Sequence, residues 1–187
     1  MVKAVLGIIG ALGLYDLPGL EDVTERLGAA PRGGPSRALQ SGRGRATPVV
    51  FLSRHGRGHR IAPSDINYRA NIDALKRAGV TDLVSFSACG SYREDLPPGT
   101  FVLVDDFVDR TFRRVSSFFG TGCVAHVPFA HPVSPALADL VERAAREERI
   151  PHRRGGTALG KESPPVSRLV AMRGRRAPWL DRGQMTS

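Results

Sequence analysis

Two short polar clusters in this chain each follow an apolar run. Ser53-Arg54-His55-Gly56 comes after Pro48-Val49-Val50-Phe51-Leu52, and Ser87-Ala88-Cys89-Gly90-Ser91 comes after Asp82-Leu83-Val84-Ser85-Phe86. An Arg guanidinium presents a rigid fork of donors suited to an oxyanion, and a His adds a donor that can carry charge. A Ser hydroxyl beside the next backbone N–H completes a cradle for a phosphate-like anion. A glycine cluster, Gly7-Ile8-Ile9-Gly10-Ala11-Leu12-Gly13-Leu14, follows a third apolar run and reads as a strand entering a tight turn. Such turns let backbone N–H groups approach a phosphate, but the spacing is not the dinucleotide fingerprint and most turns of this kind are structural. An isolated Arg-His pair is more often a solvated strand end. The second cluster, arranged in the same way, shifts the balance towards an anion site.

These groups can meet only if the strands before them lie side by side. Residues 2–9, 48–52, 82–86 and 100–104 read as strands, and 30–47, rich in Gly, Arg, Ser and Pro, as loop. Residues 64–79 read as a helix that Pro63-Ser64-Asp65 starts and Gly79 stops, with Ile72, Leu75 and Ala78 along one side. A second helix opens at Ser134-Pro135, where Leu137, Leu140, Val141, Ala144 and Ala145 follow the 3.6-residue period. Strands alternating with helices predict an α/β layered sheet, whose ligands sit beyond the strand ends.

With 187 residues, 41% apolar and 24% charged, the chain is long enough for one compact domain, expected over residues 1–160. Residues 161–187 follow no period and read as a divergent basic tail. Eight Lys or Arg stand against two acids between positions 151 and 187, so +6 of the net charge of +9 belongs there. Cys89 and Cys123 are too few for a disulfide framework and have no zinc-type spacing, which points to reduced thiols in the cytoplasm. The start only faintly resembles a signal peptide, since Gly7, Gly10 and Gly13 interrupt its apolar run, and no run reaches the ~20 residues of a membrane span.

The motifs Arg54-His55-Gly56-Arg57-Gly58-His59, Pro63-Ser64, Asn67-Tyr68, Ala70-Asn71, Ala74-Leu75-Lys76, Ala88-Cys89-Gly90-Ser91, Asp105-Asp106-Phe107-Val108-Asp109-Arg110-Thr111 and Ser117-Phe118-Phe119 stand in this order. Together they resemble the methylthioadenosine phosphorylase branch of the nucleoside phosphorylases, over about residues 2–157. The resemblance implies a three-layer α/β fold with a mixed central sheet flanked by helices, its C-terminal part incomplete here. It also implies a pentosyltransferase activity in purine and methionine salvage. Inorganic phosphate attacks C1′ of 5′-methylthioadenosine, adenine leaves through an oxocarbenium-like transition state, and 5-methylthioribose 1-phosphate results. Phosphate as co-substrate, no metal or organic cofactor, and a homotrimer are implied as well. Carried over, phosphate is held by Arg54, His55, Ser87 and Ala88, and His126 reaches the substrate pocket of a neighbouring subunit. Cys89 reads as packing.

Several positions depart from the family pattern. The turn usually carries Ser or Thr where Leu12 stands, so Leu12 offers only its backbone, and a lost hydrogen bond to a charged ligand costs about 1.5–3 kcal/mol. Val166 replaces the Phe that stacks on the purine, with Ser167 after it, and Met185 and Thr186 fall where the family has a ribose-contacting Met and a phosphate-binding Thr. Divergence between these positions fits a frame disturbance that later regains register. The family's Asp-x-Asp element, which protonates the leaving purine, is not among these residues. No catalytic acid is therefore assigned, and slow turnover is the expectation. Methylthioinosine or general purine nucleoside phosphorolysis is the alternative within the class, and a basic, noncatalytic nucleic-acid-binding or interaction protein the alternative outside it.

Overall fold

The computed structural model describes residues 3–10, 17–26, 33–44 and 47–161, together with the backbone of 184–186. The chain forms two compact units, Met1–Ala88 and Cys89–Ser187.

The first unit is built on a five-stranded mixed sheet. Its strands are β1 (Leu6–Gly10), β2 (Glu21–Arg26), β3 (Leu39–Gly44), β4 (Thr47–Ser53) and β5 (Asp82–Ser85), with helix α1 (Tyr68–Arg77) between the last two. They lie in the order β2-β3-β4-β1-β5. β1 runs parallel to both β4 and β5, whereas β3 is antiparallel to β2 and β4. The unbroken apolar runs of β1 and β4 make sense because these two strands are covered on both faces. Ile9, Val50 and Leu52 pack with Leu39, Ala74, Leu75 and Val80 on one face, and Ile8, Val49 and Phe51 with Leu6, Leu17 and Leu20 on the other. Gly7 lets the chain after α1 come close: a Cβ there would stand 2.6 Å from Val80 Cγ1.

Two sequence expectations are corrected in this unit. Residues 39–44, expected as loop, form β3. Its glycines and polar residues carry no strand signal, but Leu39 and Gln40 are buried and the backbone pairs on both sides. The first helix starts at Tyr68 rather than near Ser64. Asn67 is its cap, with Oδ1 accepting the Ala70 N–H at 3.1 Å, and the residues before it are spent in turns closed by Asp65 N–H to Ala62 O and Tyr68 N–H to Ile66 O. Buried Asn71 ties α1 to the chain before β3, donating to Ser36 Oγ at 2.9 Å and accepting the Ser36 N–H at 2.7 Å.

The second unit contains β6 (Gly90–Ser91), β7 (Phe101–Leu103), β8 (Asp106–Arg110), helix α2 (Pro135–Glu147), β9 (His152–Arg154), β10 (Thr157–Lys161) and β11 (Gln184–Thr186). They give a four-stranded sheet β6-β11-β10-β8 and the parallel pair β7-β9. Ser134 caps α2 through Oγ to the Leu137 N–H, with Pro135 in the first turn as the sequence suggests. Its stripe is only partly covered in this unit: Ala145 is buried, while Leu140 is half exposed. Residues 111–133 form neither helix nor strand and expose Phe112, Val115, Val124, Val127 and Phe129.

Candidate anion site at a strand edge

Because β4, β1 and β5 are parallel neighbours, their C-terminal ends fall on one edge of the sheet. Backbone bonds carry the alignment beyond the strands: Arg54 N–H donates to Gly10 O at 3.1 Å and Phe86 N–H to Ile9 O at 2.9 Å. Arg54 thus leaves from one flank of β1, and Ser87 from the other. Two strand spacings, roughly 9–10 Å, separate their backbones. The half-buried Arg54 side chain closes that gap, and Nη1–H donates to Ser87 Oγ at 2.8 Å.

A second contact fixes the plane of the guanidinium. Arg54 Nε–H donates to His55 Nε2 at 3.2 Å, while His55 Nδ1 lies 2.9 Å from the Ile61 carbonyl oxygen. A carbonyl only accepts, so Nδ1 carries the proton and Nε2 is left as an acceptor. These partners assign the neutral tautomer. The ring is 4% exposed. Burial pushes the His55 pKa below its ordinary value, against the raising effect of the Ile61 bond and with the help of the nearby Arg54 and His59 charges.

The loop after β4 brings these groups together. Gly56 N–H donates to Ser53 O, and the Arg60 and Ile61 N–H groups both return to His55 O at 3.1 Å. Gly56 and Gly58 take φ of +70° and +74°, conformations open mainly to glycine. His59 itself sits at φ +55°, and its ring lies against that of His55 with centroids 4.3 Å apart. Neither the His59 contact nor the role of the Ile61 carbonyl was read from the sequence. The only signal for them is the two glycines spaced so that the chain can double back. Ser53, named in the polar cluster but given no role there, is buried with an Oγ that has no partner among the described residues.

The structure therefore brings Arg54, His55 and Ser87 to one edge, with Ala88 next and exposed. His126 is exposed in the irregular stretch of the second unit. Met185 and Thr186 lie in β11, where their backbones pair with β6 and β10. Leu12, Val166, Ser167 and most of the basic tail lie outside the described residues. In the second unit a cavity of about 510 Å³ is lined in part by Arg93, Arg153 and Arg154. Asp95 pairs with both Arg93 and Arg153 and Asp139 with Arg154, and Asp105 and Asp106 share the lining, so carboxylates stand among its cations. Among the described residues no His, Cys, Asp and Glu side chains group as a metal site requires, and no helix is long and apolar enough to cross a membrane.

The mixed sheet agrees with what this sequence is similar to. The family model described as the phosphorylase superfamily matches residues 5–167. The chain belongs to that superfamily. Within it the chain falls with the methylthioadenosine phosphorylases. It is 62% identical over 167 residues to the S-methyl-5′-thioadenosine phosphorylase of Bradyrhizobium diazoefficiens and 57% identical over 168 residues to that of Rhodospirillum rubrum. Both alignments take in about nine-tenths of this chain and 57% of the relative, so the chain spans little more than half the length of these relatives. Among solved structures, methylthioadenosine phosphorylase from Schistosoma mansoni in complex with adenine superposes with a TM-score of 0.91 at 32% identity, covering 99% of this chain and 74% of that one. A methylthioadenosine phosphorylase from an antarctic soil metagenomic library gives 0.89 at 38% identity, covering 98% and 65%. The nucleoside phosphorylase fold expected from the motifs is thus the fold observed, with a mixed sheet and few helices.

Proposed function

We propose that this chain serves the phosphorolysis of 5′-methylthioadenosine to adenine and 5-methylthioribose 1-phosphate. The observation that carries the reading is the Arg54–Ser87 bond across the end of β1, which gathers a fixed cation, a hydroxyl and the following backbone at one point. The names of the relatives support the substrate. In this reading a phosphate oxygen forms the bond to C1′ while the C1′–N9 bond breaks, and the purine leaves with the electron pair and takes up a proton. Arg54, Ser87 and the Ala88 N–H hold the phosphate. His55, expected from the resemblance to hold phosphate directly, contributes in this reading through Arg54, because its Nε2 accepts from Arg54 Nε–H and its Nδ1 proton points to the Ile61 carbonyl; the Leu12 backbone and Thr186 add further donors. Met185 serves the ribose, Val166 and Ser167 the purine, and His126 the pocket of a neighbouring subunit in a homotrimer. Phosphate is the co-substrate, no metal or organic cofactor takes part, and the setting is cytoplasmic.

The test pairs binding with turnover on the purified 187-residue chain. Equilibrium dialysis with radiolabelled inorganic phosphate is expected to show saturable binding that Arg54→Gln removes. Adenine release from methylthioadenosine is expected to depend on phosphate or arsenate. If phosphate does not bind saturably, or binds Arg54→Gln equally well, the reading is wrong.

A further inference from the structure

The His59 ring packs on His55, the partner of Arg54, and it reaches that position at a backbone cost. It takes φ +55°, in a loop whose neighbours Gly56 and Gly58 are also left-handed. Non-glycine residues occupy that region in only a few per cent of cases, although His is among the more tolerant. The loop is closed by two N–H groups on the His55 carbonyl, so its path returns the His59 ring to the His55 face at 4.3 Å between centroids and 34° between planes.

We propose that His59 is a positioning residue for the anion site: by covering the face of His55 it holds that ring with Nδ1–H on the Ile61 carbonyl and Nε2 towards Arg54, and so keeps the guanidinium aimed at Ser87. The contacts at His55 depend on its protonation. Neutral, it offers the lone pair that Arg54 Nε–H needs at 3.2 Å. Protonated at Nε2, it would set two donors and two positive charges face to face, and the contact would open. Among the described residues the charged groups acting on His55 are Arg54 on its own strand end and His59 on the loop; both oppose its protonation. With the ring cover removed, His55 gains solvent and loses a like charge, so its titration moves up and its ring is free to turn.

As a role for the phosphate site this rests on the function proposed above, but its test does not. Imidazole and Arg Nε resonances of the ¹⁵N-labelled 187-residue chain are followed against pH, without ligand, in wild type, His59→Asn and His59→Phe. Asn removes the ring and tolerates the left-handed backbone, whereas Phe keeps a ring face without the charge. The wild type is expected to show His55 as the Nδ1–H tautomer, titrating below the ordinary histidine range, with a protected Arg54 Nε–H. His59→Asn raises the His55 midpoint and exposes Arg54 Nε–H to exchange, and His59→Phe restores that protection. With inorganic phosphate as probe, His59→Asn weakens binding about tenfold and His59→Phe recovers most of it. An unchanged His55 tautomer, midpoint and Arg54 protection in a folded His59→Asn variant overturns the proposal. Normal ligand-free signatures in a wild type that binds no phosphate would keep the positioning role and sink only the phosphate reading.

Discussion

Arg54→Lys is the substitution that most directly asks whether geometry, rather than charge, makes this edge an anion site. The guanidinium meets two demands at once: Nε–H reaches His55 Nε2 at 3.2 Å and Nη1–H reaches Ser87 Oγ at 2.8 Å, on the far side of β1. These bonds fix its plane, and with it the directions of its other N–H groups. A Lys ammonium keeps the charge and nearly the reach, but a single nitrogen cannot satisfy both partners and also offer a fork. The loss is that of about one hydrogen bond to a charged group, roughly 1.5–3 kcal/mol, or about tenfold to a hundredfold in phosphate affinity. Calorimetric titration with inorganic phosphate at pH 8, where His55 is neutral, measures it. Surface charge alone would give Lys and Arg similar affinities, so a Lys variant within about twofold of wild type would refute the argument.

Further outcomes follow from the same geometry. Ser87→Ala removes the acceptor of Arg54 Nη1 and should weaken phosphate binding about three- to tenfold, less than Arg54→Lys because Ser87 is exposed and water can replace its oxygen. His55 should also leave a mark on stability against pH. Its folded pKa lies below the ordinary 6.5, so between that lowered value and 6.5 the unfolded chain binds more protons and stability falls as pH falls, by at most about 1.4 kcal/mol per pH unit. Urea unfolding from pH 8 to 5 should therefore be less steeply pH-dependent in His55→Gln than in wild type. Gly7→Ala drives a methyl to 2.6 Å from Val80 Cγ1 and should cost about 1–3 kcal/mol, much of it recovered in Gly7→Ala with Val80→Ala, as read by denaturant midpoints. Asn67→Ala should cost about 0.5–2 kcal/mol and Asn67→Asp far less, because the cap on the Ala70 N–H is an oxygen that Asp retains.

The parts of the fold that were legible in the sequence are those whose cause is local. β1 and β4 are covered on both faces and so appear as unbroken apolar runs, and the polar cluster at the end of β4 marks where the strand meets solvent. α2 announces itself through Ser134 and Pro135. β3 does not, because Leu39-Gln40-Ser41-Gly42-Arg43-Gly44 has no strand propensity of its own; its partners β2 and β4 impose the conformation. β2, exposed along its whole length, is equally silent. The start of α1 was misread because Ser64 and Asp65 look as good as Asn67 on paper. Only the three-dimensional turn decides which oxygen reaches an orphan N–H.

The site divides in the same way, and the division explains why Arg54 and His55 are adjacent. That β4 and β5 deliver their clusters to one edge follows from the parallel order alone, which the apolar runs foretell. That Arg54 must bridge the end of β1 does not follow, since it depends on β1 lying between the two strands. A long side chain crossing such a gap is useful for binding only if its torsions are restrained, because each free rotor would otherwise be frozen at the moment of binding. Ser87 restrains the tip, and His55 restrains the guanidinium at Nε, closer to the chain. His55 can do so only while neutral, which the fold secures by burying it, while the Nδ1–H bond to the Ile61 carbonyl sets the tautomer that leaves Nε2 as the acceptor. In the proposed reading the anion site is therefore as much a property of the loop running from Gly56 to Ile61 as of the residues that would touch phosphate. Substitutions at Gly56 or Gly58, which contact no anion in this reading, should weaken phosphate binding by loosening Arg54. Gly56→Ala is the sharper case. Its Cβ would stand 3.3 Å from Ser36 O at φ +70°, so the variant is expected to lower phosphate affinity together with the protection of Arg54 Nε–H from exchange. Lost affinity with Arg54 still protected would show that the loop acts on phosphate by some other route.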